Sequence, residues 1–108
     1  FYFIDGTIVH HLSNTYLDEV IQNNIILEEN LLPGVKEFWN KLDESDKVIF
    51  TTARTEKHRV LTEHTLKRHK LRYDVLLMDL PSGPRVLIND YVDEHKAFAV
   101  NVKRDQGF

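Results

Sequence analysis

Three apolar runs in this chain each end in a group that can do chemistry. Phe1-Tyr2-Phe3-Ile4 climbs into Asp5-Gly6-Thr7, Val48-Ile49-Phe50 into Thr51-Thr52, and Val86-Leu87-Ile88 into Asn89-Asp90. Two carboxylates and a pair of hydroxyls at the tips of buried strands are the parts of a magnesium-dependent phosphoryl-transfer site. A phosphoryl group carries its charge on non-bridging oxygens, which the protein must neutralise and orient. Magnesium is the natural partner, a hard cation held by one or two carboxylates, backbone oxygen and water. Asp90 is the first candidate for a metal-binding carboxylate; capping of the following turn is its other reading. Thr51 and Thr52 offer hydroxyls and free backbone N–H groups suited to phosphate oxygens. Gly6 lets the backbone turn sharply and approach a substrate.

Those tips must be brought together by the elements behind them. Residues 1–4 are too apolar to alternate and predict a strand buried on both faces. Ser13 and Asn14 are good N-caps, and Leu17, Val20, Ile21 and Ile25 recur at helical spacing, predicting a helix over Thr15–Leu27. After the Pro33-Gly34 break, Val35, Phe38, Trp39 and Leu42 follow at i, i+3, i+4 and i+7, the strongest amphipathic signal in the chain. Trp39 reads as a core anchor. A strand over Lys47–Thr51, a helix with a ragged apolar face over Glu56–Lys70 and a third apolar run over Tyr73–Met78 come next. The Pro81-Ser82-Gly83-Pro84 loop leads to a fourth strand over Arg85–Asn89, and a short fifth is expected over Ala97–Val102. Strands alternating with helices predict a parallel sheet covered on both sides. The expected fold is α/β, a three-layer Rossmann-like parallel sheet flanked by helices, in a single domain over 1–108. Parallel topology would gather Asp5, Thr51 and Asp90 at one edge of the sheet, where open α/β folds bind ligands.

Composition narrows the alternatives. With 108 residues there is room for one hydrophobic core. Its 42% hydrophobic and 29% charged content is ordinary for a soluble globular protein. No apolar run approaches the roughly 18 residues needed to span a bilayer, and no leader-like segment suggests secretion. The chain has no cysteine, which excludes disulfides and thiolate chemistry and fits a cytoplasmic protein. A net charge of −3 makes no general case for nucleic-acid binding. Arg54, Lys57, Arg59, Lys67, Arg68, Lys70 and Arg72 nevertheless concentrate positive charge after the second strand, as a solvated helix face or as a rim that attracts an anionic substrate. The six histidines lack the spacing of a zinc site.

Over nearly its whole length the chain resembles the haloacid dehalogenase superfamily of phosphohydrolases. The likeness rests on Asp5-Gly6-Thr7 after an apolar strand, Thr51 closing the second strand and Asp90 closing a later one. Leu32-Pro33-Gly34-Val35 and Thr52-Ala53-Arg54 match the family's phrasing, and Pro81-Ser82-Gly83-Pro84-Arg85 is similar to small capless members associated with polysaccharide biosynthesis. The resemblance implies a phosphate monoester hydrolase acting through an aspartyl-phosphate, with a phosphorylated sugar or polysaccharide precursor as substrate and Mg2+ as cofactor. It implies Asp5 as acid–base residue and, through its backbone, metal ligand; Asp90 as metal ligand; and Gly6, Thr51 and Thr52 around the phosphate. The short insert before the Trp39 helix leaves no room for a cap domain. An open site of this kind suits a bulky substrate, or a homo-oligomer in which a neighbouring subunit closes it.

Two departures stand out. The family's nucleophilic Asp belongs two positions before its acid–base residue, and Phe3 occupies that place. Either the position is substituted and the domain is an inactive phosphate- or protein-binding one, or one Asp is omitted between Phe3 and Ile4. Its insertion would restore Phe-Asp-Ile-Asp-Gly-Thr. The family's third motif carries a Lys where Leu80 stands, so Arg85 or Arg54 is the candidate to supply that positive charge. His10 and His11 follow the first motif, where the family forms a flap; substrate contact and simple solvation are both open.

Overall fold

A computed structural model describes residues 1–108. In chain order the elements are β1 (Tyr2–Phe3), α1 (Asn14–Gln22), α2 (Val35–Asn40), β2 (Ile49–Thr51), a 3₁₀ turn (Glu56–His58) running into α3 (Arg59–Arg68), and β3 (Val75–Leu77). The strands form one parallel sheet in the order β1-β2-β3, with Tyr2 opposite Phe50, Phe3 opposite Thr51 and Thr51 opposite Leu77. It is a small α/β fold. No helix is long and apolar enough to cross a membrane.

Local chemistry sets the helix limits. Ser13 is extended (φ −74°, ψ 151°) and its hydroxyl accepts the Tyr16 N–H at 3.1 Å, which opens α1 one residue before the expected start. The helix stops well short of Leu27 because Asn24 adopts φ 50°. Ile25 N–H then reaches back to Val20 O (3.0 Å) and Asn24 N–H to Ile21 O (3.3 Å), the paired bonds of a Schellman ending. Asn tolerates this left-handed backbone better than most residues. Ahead of α2, Gly34 takes φ 80°, and Val35 and Trp39 face the core while Phe38 stays partly exposed. The indole N–H of Trp39 donates to Arg72 O at 2.9 Å, so the anchor is satisfied at its polar end. On α3 the buried residues are Thr62, Thr65 and Leu66, whereas Val60 is 80% exposed. Two threonines in a buried position signal a polar network, not a plain apolar stripe.

The core gathers Ile4, Ile8, Val35, Trp39, Phe50 and Leu66 between sheet and helices. Coverage of both sheet faces, expected from the sequence, fails at β3: Leu76 is buried but Val75 and Leu77 are each 41% exposed. The expected strands over Arg85–Asn89 and Ala97–Val102 do not form either; both stretches are irregular and exposed, with Ile88 at 91%. A strand needs a partner edge. β1 is only two residues long, and just beyond it the Thr7, Ile8 and Val9 N–H groups all fold back onto Ile4 O at 3.2, 2.9 and 3.3 Å. That tight turn leaves little edge for a fourth strand to pair with, so its β-forming side chains stay in water.

Candidate functional site

Beyond the C-terminal ends of β1 and β2 lies an open cavity of about 360 Å³. Phe3, Asp5, Thr51, Thr52, Arg54 and Arg85 are among the residues that line it, as are Ser82, Gly83 and Arg104. The sheet delivers Asp5 and Thr51–Thr52 there because parallel strands end on the same edge. Ile4 N–H donates to Thr51 O at 3.2 Å, extending the β1–β2 ladder to the lip of the cavity.

Asp5 is held on both carboxylate oxygens. Thr52 Oγ1–H donates to its Oδ2 at 2.8 Å, and Arg54 Nε–H donates to its Oδ1 at 3.0 Å, with Arg54 Nη2 at 2.9 Å from the same oxygen. Thr52 Oγ1 also accepts the Arg54 N–H at 3.1 Å, so one hydroxyl ties the acid to the turn that carries the base. Arg54 is 1% exposed and uses its whole fork. Its Nη1 and Nη2 reach Glu29 Oε2 and Oε1 at 3.1 and 2.6 Å, and Nη1 also donates to Thr62 Oγ1 at 3.1 Å. Thr65 Oγ1–H donates to Glu29 Oε2 at 2.7 Å. Burial alone would lower the Arg54 pKa, but the hydrogen bonds to Glu29 and the Asp5 charge outweigh it, and the guanidinium is held above its ordinary value. No buried side-chain polar atom lacks a partner.

The sequence-predicted residues are thus partly assembled. Asp5, Thr51, Thr52, Arg54 and Arg85 share the cavity, and Gly6 (φ 81°) forms the turn beside it. His11 lines it and His10 does not. Thr51 is 2% exposed, its hydroxyl 3.5 Å from Tyr2 O. Arg85 places its guanidinium carbon 4.0 Å above the centre of the Phe3 ring, a cation–π contact. Asp90 is not part of the lining; it lies on the exposed stretch whose expected strand is missing. With that strand absent, the route that would have carried Asp90 to the sheet edge is absent too.

The magnesium site implied by the resemblance is not assembled at these positions: Asp90, one of its ligands, lies outside the cavity, and no three acidic, histidine or cysteine side chains cluster to hold a metal ion. Sequence reasoning also missed Glu29 and Arg104. Glu28 and Glu29 look alike in sequence, and nothing there marks the second as the one that is 6% exposed beneath Arg54. The Asp105-Gln106-Gly107 turn signal was the one available hint that residue 104 sits on a bend.

A second polar unit braces the helices. His58 is fully buried; its Nδ1 accepts the Thr55 N–H at 3.1 Å, so its Nε2–H donates to Asp18 Oδ1 at 2.7 Å. The hydrogen bonds from His58 and then Lys57 hold the Asp18 carboxyl below its ordinary 3.8. Ser45 does the same for Asp43, and Arg59 holds Glu56 below 4.5. A carboxyl depressed in the folded state stabilises the fold above its unfolded pKa, and that contribution disappears as pH falls through the folded value. The urea midpoint should therefore drop as the pH is taken below these ordinary values, and Asp18→Asn should make the drop shallower. An unchanged acid slope in Asp18→Asn would show that the His58 contact carries none of it.

No protein-family model, curated protein or solved structure matches this chain.

Proposed function

We propose that this is a phosphate-monoester domain of the haloacid dehalogenase kind. The observation that carries the reading is the shared cavity at the sheet edge, where Asp5, Thr51, Thr52, Arg54 and Arg85 meet despite their separation in sequence. A guanidinium without a carboxylate partner, as on Arg85, is what a phosphate needs, whereas the Thr52 N–H expected to be free donates to Leu77 O at 3.0 Å and the Thr52 hydroxyl to Asp5. The finer three-layer, Rossmann-like arrangement, a cytoplasmic location, a homo-oligomer closing the open cavity and a sugar-derived substrate belong to the same proposal.

Hydrolysis needs one residue more. With an Asp between Phe3 and Ile4, its carboxylate oxygen attacks phosphorus, the ester P–O bond breaks and Asp5 protonates the departing alkoxide. Asp5 then takes a proton from water as that water displaces the aspartyl group and releases inorganic phosphate. Magnesium belongs to that enzyme form, and the present residues support no step through it. As the chain stands, the ring of Phe3 lines the cavity and both Asp5 oxygens are paired, which favours binding without turnover.

The test compares the chain as it stands with a version carrying one inserted Asp between Phe3 and Ile4, using an aryl phosphate with and without Mg2+. The expected result is no turnover in the first and magnesium-dependent turnover in the second, abolished by Asp5→Asn. Phosphate binding by both forms with turnover by neither would leave a binding module and end the hydrolase reading. Absence of phosphate binding in both would end the phosphate reading altogether.

A further inference from the structure

We infer that Arg104 is an anion-binding residue of this cavity and sets its preference for a doubly charged phosphate monoester over a singly charged diester. This rests on the phosphate reading above and adds to it a ligand from a distant part of the chain. Charge supplies the first argument. The ionised groups lining the cavity are Asp5 against Arg54, Arg85 and Arg104, and with Glu29 paired to Arg54 from beneath an excess of one positive charge remains. Arg54 is committed to Asp5 and Glu29, but neither Arg85 nor Arg104 has a carboxylate within 4.0 Å or donates a side-chain hydrogen bond to the protein. Two guanidiniums with no hydrogen-bonding partner in the protein, lining one cavity, suit one dianion.

The second argument is that the chain goes to some length to place Arg104. The segment that follows it is fastened twice: Asp105 N–H donates to Gly6 O at 2.8 Å and Phe108 N–H to Pro33 O at 2.9 Å. Asp105 Oδ1 accepts the His11 N–H at 2.8 Å, tying the loop to the segment that follows the first motif. The Phe108 ring packs edge-on to Phe38 with centroids 4.9 Å apart. The backbone accepts φ 62° at Asp105, a conformation that costs a non-glycine residue energy and persists only where surrounding contacts hold it. Arg104 lies across Gly6 so closely that a methyl group there would sit 3.0 Å from its Cγ. Gly6 therefore serves both the turn after Asp5 and the seat of the arginine.

Binding of phenyl phosphate and of methyl phenyl phosphate, measured by calorimetry at pH 8, tests this. A phosphate monoester loses its second proton at about pH 6, so it is a dianion there, whereas the diester carries one charge. The starting protein should prefer the monoester. Arg104→Gln should weaken monoester binding by about tenfold to a hundredfold, the range of a charge-assisted bond, and diester binding by much less. Arg104→Lys should recover part of the loss. Lys103→Gln, on the same loop but outside the lining, should bind both esters as before. Asp105→Ala, which removes the side-chain tie to the His11 N–H and leaves the backbone bond to Gly6 O, should reproduce part of the Arg104→Gln effect. If the starting protein binds neither ester, the phosphate reading fails. If it prefers the monoester and Arg104→Gln keeps that preference, the role given to Arg104 is wrong.

Discussion

Arg54→Met should destabilise the protein by about 3–5 kcal/mol, enough to unfold much of it at room temperature if its stability is in the ordinary range of about 5–15 kcal/mol. The guanidinium is 1% exposed and stands between the carboxylates of Asp5 and Glu29, bonded to both. Removing it leaves two carboxylates facing each other out of water, and the Thr62 hydroxyl without its donor. Breaking such a group by taking one partner costs more than the partnership itself contributes, because the remaining charge keeps its desolvation penalty. Arg54→Met combined with Glu29→Leu should therefore be less damaging than Arg54→Met by itself. Urea unfolding of the three proteins measures this directly. A single-variant loss under about 1 kcal/mol, the range of an exposed pair, would mean that the network is solvated.

Phe50→Ala should cost a comparable amount, about 3–5 kcal/mol, through loss of buried area and the cavity left behind. Phe50 is fully buried on β2, the central strand. Its ring lies parallel to Trp39 (centroids 5.2 Å, planes 3° apart) and edge-on to Tyr73 at 5.7 Å. It thus joins α2 to the segment entering β3, and no neighbouring element can collapse into its place without unstacking the indole. Phe50→Leu keeps much of the volume and should lose less than half as much. Equal losses in the two variants would show that the ring geometry, not the filled volume, is what matters. Because β2 also carries Thr51 to the cavity, Phe50→Ala should loosen the site as well as the fold.

The parts of the fold readable from residue types are those governed by local rules. Ser13 caps α1, the Pro33-Gly34 break precedes α2, and Val35 and Trp39 turn inward as their spacing requires. The helix end at Asn24 was less readable, since Ile25 continues the apolar period and a left-handed asparagine breaks it. The strands over 85–89 and 97–102 were misread for a different reason. Their composition is that of strands, but a strand exists only if another strand offers it an edge, and pairing is not a property of the segment itself.

The site divides along the same line. Sequence by itself determined that Asp5, Thr51 and Thr52 stand at strand ends, and parallel topology does the rest, since such ends share one rim. Only tertiary structure decided that Arg54 is buried against Glu29, that Arg104 returns from the end of the chain to the same cavity, and that Asp90 stays outside it. Like charges repeated along a chain are interchangeable in sequence. What separates them is which one loses its water and finds a partner, and that depends on where the whole chain packs.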